Sequence, residues 1–186
     1  MEEGDSVLED EEQDEGILGS AAEPQDAGQQ RSECNRVMKS CADTLEAFGV
    51  HHELIISSAH RSPERTKEYV AAAEKKGAQA FIAAAGMAAH LAGVLASKTV
   101  KPIIGVPMSA SALSGIDALL STVQMPAGMP VATVAIGKAG AINSAYLAMQ
   151  ILALNDEDLS VKLKEDRIAK AKKVEMDSLE IETIIK

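Results

Sequence analysis

Two short stretches of this 186-residue chain carry most of its capacity for proton and anion chemistry: Ser57-Ser58-Ala59-His60-Arg61-Ser62-Pro63 and Ala85-Gly86-Met87-Ala88-Ala89-His90-Leu91. Each follows an apolar run that reads as a strand, and each opens what reads as a helix. A helix start leaves backbone N–H groups unpaired, and a hydroxyl, an imidazole and a guanidinium beside them form a cradle for a phosphate or carboxylate. Ser58, His60 and Arg61 supply those three groups. An Arg61–phosphate contact would contribute about 1.5–3 kcal/mol as a charge-assisted bond. In the second stretch Gly86 and Ala88 are small enough to let a ligand approach the backbone, with the imidazole of His90 on the first turn of the following helix. The competing readings are a backbone-bonded loop histidine at 60, a surface arginine at 61 and a buried packing histidine at 90.

The elements that must position these groups are legible from hydrophobic spacing. Val37, Met38, Cys41, Leu45 and Phe48 recur at helical intervals, and Gly49 supplies a left-handed stop. Val50–Ile56 reads as a strand, and Ser62-Pro63-Glu64 as an N-cap, a first-turn proline and an early acid of a helix running to Lys76. Ala78–Ala85 is a second strand, Ala88–Lys98 a small-residue helix, and Pro102–Val106 a third strand. A helix falls within Ser111–Val123, and a fourth strand over Pro130–Ile136. Gly137-Lys138-Ala139-Gly140 leads into a helix to Leu154, and Asn155 or Asp156 caps another to about Lys173. This alternation predicts an α/β fold: a three-layer αβα sandwich on a flavodoxin-like parallel sheet, with ligands beyond the carboxyl ends of the strands. A strand ought to precede the first helix. The one apolar candidate is the stub Gly16-Ile17-Leu18-Gly19-Ser20, so the first strand is expected to be degenerate or missing.

The formal charge of −10 is concentrated at one end. Residues 1–31 hold 11 of the 28 acids and a single arginine, so the remainder is electrically balanced and offers no drive toward nucleic acid or an anionic membrane. That stretch is expected to be an acidic disordered segment, followed by an α/β domain over 32–173 and a C-terminal tail over 174–186. Aromatics make up only 2% of the chain, which leaves little material for stacking on bases. Cys34 and Cys41, about 10.5 Å apart along one predicted helix, cannot bridge each other, and a reducing, cytoplasmic setting fits them. No run reaches the roughly 20 apolar residues that a membrane span needs. His51-His52-Glu53 lacks a third nearby ligand for a metal, and Gly137–Gly140 lacks the spacing of an ATP-binding phosphate loop.

Taken in order, Ser58-Ala59-His60-Arg61-Ser62-Pro63, Ala85–Leu91, Gly105-Val106-Pro107 and Asp117-Ala118-Leu119-Leu120-Ser121-Thr122-Val123-Gln124-Met125-Pro126 closely resemble the PurE family, the class I N5-carboxyaminoimidazole ribonucleotide (N5-CAIR) mutases of purine synthesis. Pro130–Ile136 and Gln150–Leu154 match as well, so the resemblance covers about Val37 to Arg167. It implies a carboxylate shift from the exocyclic nitrogen of a nucleotide to C4 of its imidazole, by decarboxylation and recarboxylation, with no biotin, metal or ATP. His60 would be the general acid and base, and Ser58 and Arg61 would hold the phosphate. Gly86, Ala88 and His90 would border a CO2 pocket with apolar Ala and Met walls. Arg61-Ser62 and Ala88-Ala89-His90 look like the mutase class rather than the CO2-dependent AIR carboxylase class. The resemblance also implies a homo-oligomer, an octamer in the family, acting on a small nucleotide.

One motif departs from the family. The resemblance calls for a Gly-Ser-x-Ser-Asp loop shortly before Val37, with phosphate-binding hydroxyls and a ribose-binding carboxylate. Glu33 and Cys34 stand where Ser and Asp are expected. Gly19-Ser20 could be a displaced remnant, with 21–36 inserted. The alternative expectation is therefore a PurE-like protein with impaired or no catalysis.

Overall fold

The computed structural model describes the backbone of residues 17–21 and 29–184 and the side chains of residues 34–181. Its elements run β1 (Ile17–Ala21), α1 (Gln29–Ala47), β2 (His52–Ile56), α2 (Pro63–Lys75), β3 (Ala80–Gly86), α3 (Leu91–Ala96), β4 (Ile103–Met108), α4 (Ile116–Val123), β5 (Ala132–Thr133), α5 (Lys138–Leu152) and α6 (Glu157–Ile184). The strands form one parallel sheet in the order β2-β1-β3-β4-β5.

The alternation of side chains along the central strands builds the two outer layers. Ile82 and Ala84 of β3 and Ile104, Val106 and Met108 of β4 pack on one face with Met38, Cys41 and Leu45 of α1, Ala141, Ala145 and Met149 of α5, and Leu159 of α6. Phe81, Ala83 and Ala85 of β3 pack on the other with Val70 and Ala73 of α2, Leu91 and Leu95 of α3, and Ala118 of α4. Phe81, Ile82, Leu91 and Ile104 are fully buried, and each such side chain contributes about 1.5–3 kcal/mol. With so few aromatics the layers close by near contact. A Cβ on Gly105 would lie 2.4 Å from Thr122 Cγ2, so glycine there lets α4 settle onto β4.

The expected three-layer parallel architecture is the observed one, but the first strand is not missing. Residues 17–21, expected within a disordered segment, form β1 between β2 and β3, with Gly19 registered to Leu54 on one side and Ile82 on the other. Ladders on both edges satisfy its backbone, which compensates for a run too short in large apolar residues to read as a central strand. Helix α1 already includes residues 29–31. The rest of that expectation, residues 1–16 and 22–28, lies outside the described residues. At the other end α6 continues as helix to Ile184 rather than ending near Lys173 in a tail. Propagating an existing helix through Glu, Met and Leu is favourable, whereas the apolar alternation after Glu175 looked strand-like. Strand β5 shrinks to two residues.

Candidate active site

The carboxyl ends of β1, β2, β3 and β4 face one end of the sheet, and the loops leaving β2, β3 and β4 carry the candidate residues. After β2, Ser57 is buried and its hydroxyl pairs with Thr66 Oγ1 at 2.6 Å, tying the strand end to the first turns of α2. The loop then closes on itself. Ser62 N and Ser62 Oγ both donate to Ser58 O, at 2.9 and 3.1 Å, and Arg61 N donates to Ser58 Oγ at 3.1 Å. Ser62 occupies the N-cap position as expected, but its hydroxyl is turned into the loop rather than onto the helix: its oxygen accepts from Ser58 N at 3.3 Å and its proton goes to Ser58 O, so it makes no capping bond. This ring of bonds holds Ser58 and Arg61 together and turns His60 and Arg61 outward; both are exposed.

After β3 the chain passes Gly86, buried, and Ala88, exposed, to His90. His90 is the N-cap residue of α3, one position before the helix rather than on its first turn, and it is exposed, not a buried packing residue. Strands β2 and β3 are separated by β1, hence by about 10 Å. Their loops nevertheless lean across the carboxyl end of β1 far enough for the imidazoles of His60 and His90 to stack, ring centroids 5.5 Å apart and planes 17° from parallel. Two exposed imidazoles, one beside a guanidinium and a hydroxyl, thus meet at the switch point of the sheet, where α/β folds bind ligands.

A third loop, after β4, borders the same end and was not singled out from the sequence. A Cβ on Gly86 would lie 2.6 Å from Ala110 Cβ, so the loops after β3 and β4 touch at this point. Ser111 Oγ donates to Asp117 Oδ1 at 2.9 Å, fastening the loop to α4, and Gly115 enters that helix with φ 87. The signal was available: Ser109-Ala110-Ser111-Ala112 is a small-residue run directly after a strand, as Gly86–Ala89 is.

The structure also bears on the altered motif. Ser20 and Ala21 end β1 level with Ile55–Ile56 and Ala83–Ala84, at the site end of the sheet. Cys34, in the place of the expected ribose-binding carboxylate, is buried in the core formed with α5. Burial pushes the Cys41 thiol up to about 11, the hydrogen bond from Ser144 opposing it, so this sulfur is protonated and inert. Among the described residues no three His, Cys, Asp or Glu side chains converge as a metal site, and no helix is long and apolar enough to cross a membrane. A cleft of about 470 Å³ lined by Thr99, Lys101, Pro102, Met129 and Pro130 opens at the amino end of β4, opposite the imidazoles.

Comparison with known proteins gives the family and the fold. The model of the AIR carboxylase family matches residues 31–173. The N5-carboxyaminoimidazole ribonucleotide mutase of Bacillus subtilis is 52% identical over 130 residues, 70% of this chain and 80% of that protein. The mutase of the same name from Escherichia coli K12 is 48% identical over 137 residues, 74% of this chain and 81% of that one. The crystal structure of Treponema denticola PurE shares the fold, with a TM-score of 0.74 at 22% identity over 87% of this chain and 96% of that chain. The matched span contains both histidine loops and the strands that bring them together, and this chain belongs to the AIR carboxylase family.

Proposed function

We propose that this chain is an N5-carboxyaminoimidazole ribonucleotide mutase of purine biosynthesis. The observation that carries the reading is the stacking of the His60 and His90 imidazoles at the switch point of the sheet, with Arg61 and Ser58 on the His60 loop. In the reaction His60 protonates the exocyclic nitrogen as its bond to the carboxyl carbon breaks, giving aminoimidazole ribonucleotide and CO2. C4 of the imidazole then attacks the CO2, and His60 removes the C4 proton, returning to its starting state. Such acid–base assistance is worth about 10²–10⁴ in rate. Ser58 and Arg61 hold the phosphate, while Gly86, Ala88 and His90 enclose the CO2 so that it is recaptured before it escapes. The chemistry needs no cofactor.

The protein acts as a homo-oligomer on this reading, an octamer by family resemblance. Leu113, Ile116, Leu120 and Val123, spaced three and four apart along α4 and the turn before it, are each exposed, an apolar stripe suited to cover by another copy. Cys34 and Cys41, neither of them in a disulfide, fit a reducing compartment such as the cytoplasm. A second reading, a PurE-like body without turnover, is favoured by one observation: Cys34 points into the core where the family pattern has a ligand.

The purified protein is to be given N5-CAIR in one assay and aminoimidazole ribonucleotide with bicarbonate in another. The mutase reading expects carboxylate migration in the first. Activity confined to the second would assign the CO2-dependent carboxylase, and none in either would favour the inactive body. His60→Asn is expected to lower turnover about a hundredfold or more with little change in Tm, since the ring is exposed; undiminished turnover would remove His60 from the mechanism.

A further inference from the structure

Among the described residues two non-glycines have positive φ, Met87 (φ 57) and Ser114 (φ 53). Both lie in loops at the end of the sheet that holds His60 and His90. A left-handed backbone is disfavoured for any residue with a Cβ and persists only where its surroundings enforce it.

At Met87 the surroundings are visible on both sides. Before it, Gly86 ends β3 in a space without room for a Cβ, 2.6 Å from Ala110 Cβ. After it, Ala89 and Leu91 are 1% and 0% exposed, sunk into the layer of α2 and α3. The chain must turn between these two anchors. Turning at Met87 places Ala89 and Leu91 inward and leaves His90, between them, facing out, where its ring stacks on His60.

We propose that Met87 is a positioning residue whose left-handed backbone sets the rotation of the loop and so seats the His90 imidazole against that of His60. Its catalytic consequence rests on the mutase reading; its geometric consequence does not.

Met87→Gly and Met87→Asn introduce residues that enter the left-handed region readily, and Met87→Val a β-branched residue that avoids it. The chain has four histidines, so the ring protons of His60 and His90 are assignable by NMR from His60→Asn and His90→Asn. The through-space contact between the two rings is expected to survive in the Gly and Asn variants and to disappear in the Val variant. Turnover of N5-CAIR per folded molecule is expected to be about tenfold lower for Val than for Gly or Asn, with KM similar. A Val variant that keeps the ring contact overturns the proposal, as does loss of the contact in all three, which would assign the role to the thioether. Should the Val variant not fold, Met87→Thr, also β-branched, takes its place: a lost contact supports the backbone role and a retained one overturns it. If the unaltered protein does not turn over N5-CAIR, the mutase reading fails while the ring contact still decides the role of Met87.

Discussion

His60 and His90 show how little a side chain's type says about its use until its neighbours are known. Both are exposed, and each taken alone is an ordinary loop histidine; with ring centroids 5.5 Å apart they form one stacked pair at the end of the sheet. The loop that presents His60 is stiffened by backbone and hydroxyl bonds among Ser58, Arg61 and Ser62, which limit the positions open to the ring. Charged residues away from this end serve stability. Glu53 on β2 accepts from Lys76 Nζ at 2.7 Å and from Tyr69 Oη at 3.0 Å. The Lys76 hydrogen bond foremost, with a smaller contribution from Tyr69 and against partial burial, holds the Glu53 carboxyl below its usual range. The ionised form is therefore bound more tightly in the folded state. Its stabilisation is present above the ordinary carboxylate value of about 4.3 and is lost as pH falls through the lowered folded value. Glu53→Gln should lower Tm at pH 7, and the gap from the unaltered protein should close on acidification to about pH 3; a gap independent of pH would contradict this.

The helices and strands are set at close range, and glycines mark where. Gly140, in the first turn of α5, has no room for a methyl group: a Cβ there would fall 1.6 Å from the carbonyl oxygen of Ala135. The obstacle is backbone and cannot swing aside, so Gly140→Ala should destabilise the fold by about 3 kcal/mol or more, read by denaturant unfolding. A loss below about 1 kcal/mol would mean that α5 is free to shift. The same α5 packs its alanines on α1, where Ser144 Oγ reaches Cys41 Sγ at 3.6 Å. It also anchors α6, whose Asp166 accepts from Tyr146 Oη at 2.9 Å. Of the two cap candidates in the sequence, Asn155 and Asp156, it is Asp156 whose Oδ1 caps α6, accepting from Leu159 N at 2.9 Å.

Assembly is where the surface speaks. The end of the sheet that carries His60 and His90 has polar and small residues, whereas α4 beside it exposes a row of aliphatic side chains from Leu113 to Val123 that a lone chain would leave in water. If the proposed oligomer uses this row, a charge in its middle should separate the copies while leaving the fold intact, because Leu120 is already 52% exposed. Leu120→Glu is thus expected to reduce the mass measured by light scattering by a factor of two or more, with little change in far-ultraviolet circular dichroism. An unchanged mass would remove α4 from the proposed assembly.

The order of β2 to α5, the helix stop at Gly49 and the two histidine loops were all readable from the chain, because each depends on spacing within a few residues of itself; Gly49 indeed has positive φ, 76. The family likewise followed from motifs contiguous in sequence. Strand β1 was not readable, since Ile17-Leu18-Gly19-Ser20-Ala21 becomes a strand through ladders to β2 and β3, whose residues lie some 35 to 60 positions further along. Nor was the meeting of His60 with His90 across the end of β1, the contact of Gly86 with Ala110, or the left-handed turn at Met87. Local patterning dictates which face a residue buries; which loops lean together is a property of the closed sheet, where partners distant in the chain supply the constraints.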